Sequence, residues 1–178
     1  MIEIGARDDM TDRAKRIAAA LVVGLTAPTA MTACMPGGGG GMSDDQVARS
    51  LESSVLAAVP LADEAYVGFA SAGSPTSRSV RVRIYVSSED AAALAEAADS
   101  TFETIWREMP VRPSNIGFQA YNGAKPSNPS NGSRGNIDLA EVHDAFGAGY
   151  LGLAGQVLSL DASELAEHYG AWTGPAAQ

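Results

Sequence analysis

The sequence is poor in cysteine, histidine and positive charge, and each shortage closes off a class of function. Its one cysteine, Cys34, leaves no intramolecular disulfide framework and no cysteine-based zinc site. Its two histidines, His143 and His168, stand far apart in the chain and outside any H-E-x-x-H pattern. No G-x-S-x-G, S-x-x-K or phosphate-binding loop sequence occurs. Twelve basic residues face 21 acidic ones, for a net charge of −9. Residues 1–33 hold four acids and four bases, so the whole excess lies after Cys34. A body of that sign repels polyphosphate, and nucleic acid is not an expected partner. The charge keeps the domain soluble.

What remains is enough for one domain. The 178 residues are 46% apolar and 19% charged, a globular balance rather than a disordered one. From Met10 the chain runs through Arg13, Lys15 and Arg16, then the uncharged apolar stretch Ile17 to Leu25, then Pro28 and small residues up to Ala33. A basic start, an apolar middle and a small-residue end is the order of a secretory signal peptide. Glu3, Asp8 and Asp9 fit poorly in such a basic start, which makes Met10 the expected beginning of the segment.

The run Met31, Thr32, Ala33, Cys34 resembles the lipobox of bacterial lipoproteins, with Met31 standing where that family usually has leucine. The resemblance covers residues 10–34. It implies that Cys34 is the lipidation site, that the chain is cut before it, and that membrane lipid is its first partner. Acyl chains hold a protein to a bilayer at ~0.8 kcal/mol per buried CH₂. A retained transmembrane anchor over 17–43 and a signal removed without lipidation are the alternatives. Pro28 and the glycines Gly37 to Gly41 make the first a poor helix. All three readings export the domain. Residues 34–42 then serve as a glycine-rich tether, because such a run buries no apolar surface.

The domain occupies 43–178. Ser43 with Gln46 forms a capping box ahead of the stripe Val47, Leu51, Val55, Val59, which predicts a helix ending at Pro60. Glu64 to Ala72 reads as a strand, and Arg78 to Val86 as a clearer one, with the turn residues Gly73 to Thr76 between them. Ser87 to Asp90 opens a second helix buried along Leu94, Ala98, Phe102, Ile105 and Trp106. Asn115 to Tyr121 alternates as a third strand, and Asn122 to Asn136 is a long, polar, exposed loop. Asp138 with Glu141 caps a third helix to about Phe146, while Gly147–Leu160 stays open between glycine-rich helix, loop and a last strand. Asp161 with Glu164 caps a final short helix. The order αββαβ plus C-terminal helices predicts an α+β fold, a small, largely antiparallel sheet with helices on one face.

Few residues suggest chemistry. Gly147, Gly149 and Gly152 spell the letters of a dinucleotide loop, but they follow a capped helix instead of a strand, so no cofactor is expected. Asn131, Gly132 and Ser133 match a glycosylation sequon and read as loop chemistry. Trp106 and Trp172 read as packing. Glu164 and His168, four apart on one helix, could supply two metal ligands, though a solvated helix face explains them as well. No catalytic residue and no metal site are assigned. An extracytoplasmic metal- or carboxylate-dependent hydrolase is the alternative to a non-catalytic binding domain.

One constellation stands out. Period two places Val80, Val82 and Ile84 on one face of their strand and Arg81, Arg83 and Tyr85 on the other. If the third strand joins the same sheet, Gln119 and Tyr121 add to that second face. Paired guanidinium groups and phenols would form an open basic face on an acidic body, suited to an anionic envelope component or a protein partner. A solvated sheet face with long side chains is the plainer alternative.

Every cap and every alternating run lies after Ser43. A chain beginning at Ser43 is therefore expected to unfold cooperatively on heating. A disordered amide spectrum from that chain would show the boundary to be wrong.

Overall fold

The structure is a computed structural model and describes residues 42–71, 78–131, 135–146, 152–154 and 156–175. The signal and lipobox segment with Cys34, the turn at 73–76, the sequon's glycine and serine, and the first five residues of the glycine motif lie outside the described residues.

The α+β architecture is the expected one. Helix α1 spans Asp44–Ala58, capped reciprocally by Ser43 and Gln46, and buries Val47, Leu51 and Val55. Strands β1 (Glu64–Ser71) and β2 (Arg78–Val86) pair antiparallel. Helix α2 (Ala91–Glu108) starts where the Asp90 carboxylate accepts the Ala93 N–H and ends before Met109 and Pro110. Its buried side includes Leu94, Ala98, Phe102, Ile105 and Trp106. Strand β3 (Pro113–Asn122) lies parallel to β2, as a strand returning through a helical crossover can. Helix α3 (Ala140–Phe146) begins just after Asp138, whose carboxylate accepts the Ala140 N–H.

The stretch 147–160 turns out to hold strands. β4 (Gly152–Ala154) and β5 (Val157–Asp161) pair antiparallel, and β5 pairs antiparallel with β3. Helix α4 (Ala162–Tyr169) follows with the Asp161 and Glu164 capping box intact. The sheet order is β1-β2-β3-β5-β4, antiparallel in every pairing except β2 with β3. The backbone groups of β5 are thus paired with β3 on one side and with β4 on the other.

Three rows of side chains cross β1, β2 and β3 on the core face. Phe69, Val80 and Ile116 form one, Val67, Val82 and Phe118 the next, and Ala65, Ile84 and Ala120 the third. All but the half-buried Phe69 are sealed from water. α1, α2, α3 and α4 bring Leu51, Leu94, Phe102, Ile105, Val142 and Leu165 into the same core. Each fully buried aliphatic or aromatic side chain contributes ~1.5–3 kcal/mol. Trp106 is buried and donates from Nε1 to the Gly170 carbonyl at 3.0 Å, while Trp172 packs at the margin. Among the described residues no helix is long and apolar enough to cross a membrane.

β1 is an edge strand, and its outward backbone groups are covered by a charge pair. Glu52 of α1 accepts the Val67 N–H at 3.0 Å, and Lys125 Nζ donates to the Ala65 carbonyl at 2.5 Å. Lys125 Nζ also stands 3.4 Å from Glu52 Oε2. Such cover blocks the edge from pairing with another chain. Glu52→Ala leaves the Val67 N–H without an acceptor and Lys125 without its counter-charge, and should cost about 1–3 kcal/mol. In a urea double-mutant cycle with Lys125→Met, a coupling of ~0.5–1.5 kcal/mol is expected. Additive effects would show that the two residues act independently.

Candidate functional site

The register that builds the core builds a second set of rows on the opposite face. Arg81 lies between Gly68 of β1 and Gly117 of β3, Arg83 between Tyr66 and Gln119, and Tyr85 between Glu64 and Tyr121. The five residues expected to share a face do share it. The face itself is not open. Arg83 is 4% exposed, Tyr85 1%, Gln119 8% and Tyr121 3%, and of the five only Arg81 reaches solvent. The expectation of a solvent-facing patch is corrected for those four.

The reason lies in the polar segment after β3, which folds back on the sheet as a strap. Gly123, at φ +103°, turns the chain so that its N–H meets the Val86 carbonyl at 3.2 Å. Lys125 then reaches β1, its N–H donating to Glu64 Oε2 at 2.8 Å and its Nζ lying 5.9 Å from the Tyr66 ring centroid. The short turn Pro129–Asn131 follows, and Ser130 lines a cleft together with Tyr66 and Arg83. The chain returns at Gly135, whose carbonyl accepts the Asn122 N–H at 2.8 Å. Ile137 N–H then donates to the Ala120 carbonyl at 2.9 Å.

Beneath this strap the buried polar groups are partly paired. Arg83 Nε donates to Gln119 Oε1 at 3.0 Å. The guanidinium carbon lies 5.8 Å from the Tyr66 ring centroid and 5.7 Å from that of Tyr121, within cation–π range. Tyr121 in turn stacks on Tyr85 at 5.6 Å. One nitrogen of the guanidinium, Nη1, is buried with no hydrogen-bond partner. Among the described residues no carboxylate forms an ion pair with Arg81 or Arg83.

Arg83 also lines this cleft of about 160 Å³, together with Tyr66, Gly68, Phe69, Ala70, Ser79, Arg81 and Ser130. Gly68 is what makes room there. A Cβ at that position would stand 2.8 Å from Tyr66 Oη, so the phenol lies along the strand where any larger residue would put its side chain. Ser79 donates its hydroxyl proton to Asn115 Oδ1 across the β2–β3 ladder. Two basic groups, hydroxyls and no carboxylate make this a place for negative charge. Tyr66 and Gly68 escaped the sequence reading although their alternation with Ala65 and Val67 carried the signal. Ser130 had none, since its segment has no period.

Two of the larger hollows are differently furnished. One, about 320 Å³, lies between α1 and the β1 edge, where Asp44 pairs with Arg78 at 2.5 Å and Glu52 is already engaged. The other, about 400 Å³, lies between Trp106, Tyr169 and Trp172. Its buried orphan, Trp172 Nε1, is a neutral donor.

Glu164 and His168 do not converge. Glu164 Oε2 accepts the Asp161 N–H in the cap at 2.8 Å, while His168 Nε2 stands 3.3 Å from Asp99 Oδ1. Among the described residues no group of three His, Cys, Asp or Glu could hold a metal ion. His143 is half-buried on α3, with Nδ1 3.5 Å from Asp144. At the helix start, the Ser163 hydroxyl and the Glu164 and Ser163 N–H groups hold the Asp161 carboxyl below its ordinary range. No family model matches the chain, no curated protein matches it, and no solved structure matches it.

Asp99 has a second partner, Tyr169, whose hydroxyl donates to Oδ1 at 2.7 Å. Burial, then the bond to Asp99 and the negative charges of Asp99 and Glu103, hold the Tyr169 proton well above the ordinary phenol value of 10.0. Since the folded-state value is raised, the stability this group contributes is complete below about pH 10 and is lost as pH climbs toward the folded value. Thermal melts above pH 10 should therefore fall more steeply for the wild type than for Tyr169→Phe. Parallel curves would show that this phenol does not govern alkaline unfolding.

Proposed function

We propose that this protein is an exported lipoprotein, held at the extracytoplasmic face of the cell membrane by acyl chains on Cys34. Its acidic α+β domain binds an anionic envelope component or protein partner and catalyses nothing. The anchor reading is supported by the order of residues 13–34: basic residues, an apolar run, small residues, then the sole cysteine of the chain. The glycines that follow supply the reach a folded domain needs to stand off a bilayer.

The binding reading is carried by one observation, the Arg83 guanidinium buried beneath the strap with Nη1 unpaired. A charge in that position has no evident structural employment for its last donors. Arg83 shares the lining of a cleft with the exposed Arg81, and a partner's acidic group entering there would approach the buried guanidinium.

Intact-mass measurement of the mature protein tests the anchor. The expected species begins at Cys34 and carries a diacylglyceryl group. Cys34→Ala should leave the membrane fraction or accumulate unprocessed. An unmodified N-terminus at any other residue overturns the lipoprotein reading.

A further inference from the structure

We propose that the cleft between β1, β2 and the strap is an oxyanion site, in which Arg83 and Arg81 together clasp a phosphate or carboxylate group. The inference rests on the binding reading above and narrows it to a ligand chemistry. It does not depend on the anchor.

The argument begins with a cost. Arg83 is the one charged side chain buried among the described residues. A lysine in such a place could shed its proton and escape the penalty, whereas a guanidinium stays charged at any physiological pH. Gln119 and the rings of Tyr66 and Tyr121 offset part of the desolvation, but Nη1 faces no acceptor. Removal of a charge from water without a counter-charge is strongly unfavourable. The chain beyond Cys34 carries 17 acids against 8 bases, yet none of the acids pairs with Arg83 among the described residues. The missing counter-charge is therefore one that arrives from outside.

Geometry narrows what arrives. Arg81 and Arg83 project from the same face of β2, about 6.5 Å apart along the strand. Glycine stands opposite Arg81 on both neighbouring strands, with the Tyr66 phenol lying over Gly68 and Val157 over Gly117. A group held between the two meets a buried donor at one end and an exposed guanidinium at the other. Guanidinium donors are spaced to match the oxygens of a carboxylate or phosphate, and such charge-assisted bonds are about twice as strong as neutral ones. The Ser79 and Ser130 hydroxyls and the Tyr66 phenol add polar atoms to the lining. At about 160 Å³ the cleft is smaller than the ~300–1,000 Å³ of drug-sized pockets. It takes the oxyanion head of a ligand and leaves the rest beyond Arg81. The head can come from a free small anion or from a phosphodiester carried on a lipid or polymer, and the chemistry at Arg83 is the same.

The test uses the purified full chain in Tris chloride at low salt, with thermal melting and calorimetry as readouts. Three probes are titrated: inorganic phosphate, acetate, and glycerophosphoglycerol, the deacylated headgroup of phosphatidylglycerol. At a hundredfold excess over Kd the wild-type melting temperature should rise by on the order of 5–10 °C. Arg83→Met should abolish that shift, and in the absence of probe it should melt no lower than the wild type, because it removes an uncompensated buried charge. Arg81→Ala, an exposed change that spares the core, should weaken binding at least tenfold and keeps the test valid if the Arg83 variant does not fold. Tighter binding of glycerophosphoglycerol than of inorganic phosphate supports the site with a carried phosphodiester as its source. The reverse order supports it with a free anion. No shift with any probe, or a shift that survives in both variants, overturns the proposal. Failure here with Cys34 acylated leaves the lipoprotein reading standing, and an unacylated chain that takes phosphate separates the two in the other direction.

Discussion

The parallel pairing of β2 with β3 is the constraint on which the rest of the molecule depends. Its register sets Val82 beside Phe118 and Ile84 beside Ala120 on the core face, and in the same stroke sets Arg83 beside Gln119 and Tyr85 beside Tyr121 on the other. A slip of one residue would exchange the two faces, burying a guanidinium among aliphatic side chains and exposing the core rows. Both faces therefore select the same alignment, the one by hydrophobic burial and the other by a hydrogen bond and a ring stack. That double selection is why β2 can be buried on both sides in its second half without losing its place.

Once β2 and β3 are adjacent, the strap follows from where β3 ends. The segment leaving Asn122 emerges beside Val86, and the Glu64 carboxylate and Ala65 carbonyl on the β1 edge stand as acceptors within its reach. Lys125 takes both, and with Glu52 it closes the edge that would otherwise template another chain. One residue thus joins α1, β1 and the strap. The cover over the second sheet face and the protection of the sheet edge are a single device. Its consequence is that a polar sheet face, solvated in most antiparallel proteins of this class, here becomes an interior with its own charge.

That interior charge links fold to function. A domain of this net negative charge has little attraction for anions at large. Under the strap lies a buried guanidinium, and a second, exposed one shares its cleft in a chain of net negative charge. For the proposed oxyanion site, selectivity would come from access and hydrogen-bond geometry rather than from net charge. The anchor proposed at Cys34 would place such a site near the membrane surface, where phosphate and carboxylate groups of the envelope are concentrated.

How much of this was legible in the chain depends on the range of the signal. Ser43 with Gln46, Asp90 and Asp161 with Glu164 mark helix starts because a cap and its orphan N–H groups lie within one turn. The alternation of Val80, Val82 and Ile84 with Arg81, Arg83 and Tyr85 marks a strand and its two faces for the same local reason. The sequence by itself therefore determined the elements through β3, the α+β class, and which residues share a face. Tertiary structure decided the rest. The glycines up to 155 hid β4 and β5, whose strand character comes from pairing with β3 and with each other rather than from their own composition. The aperiodic segment 122–136 gave no sign that it would cross back to Glu64 and Tyr66, some sixty positions earlier in the chain. Burial of Arg83, Gln119 and both tyrosines hangs on that return, because burial belongs to a residue's neighbours in space, and those neighbours are written into the sequence far from the residue they cover.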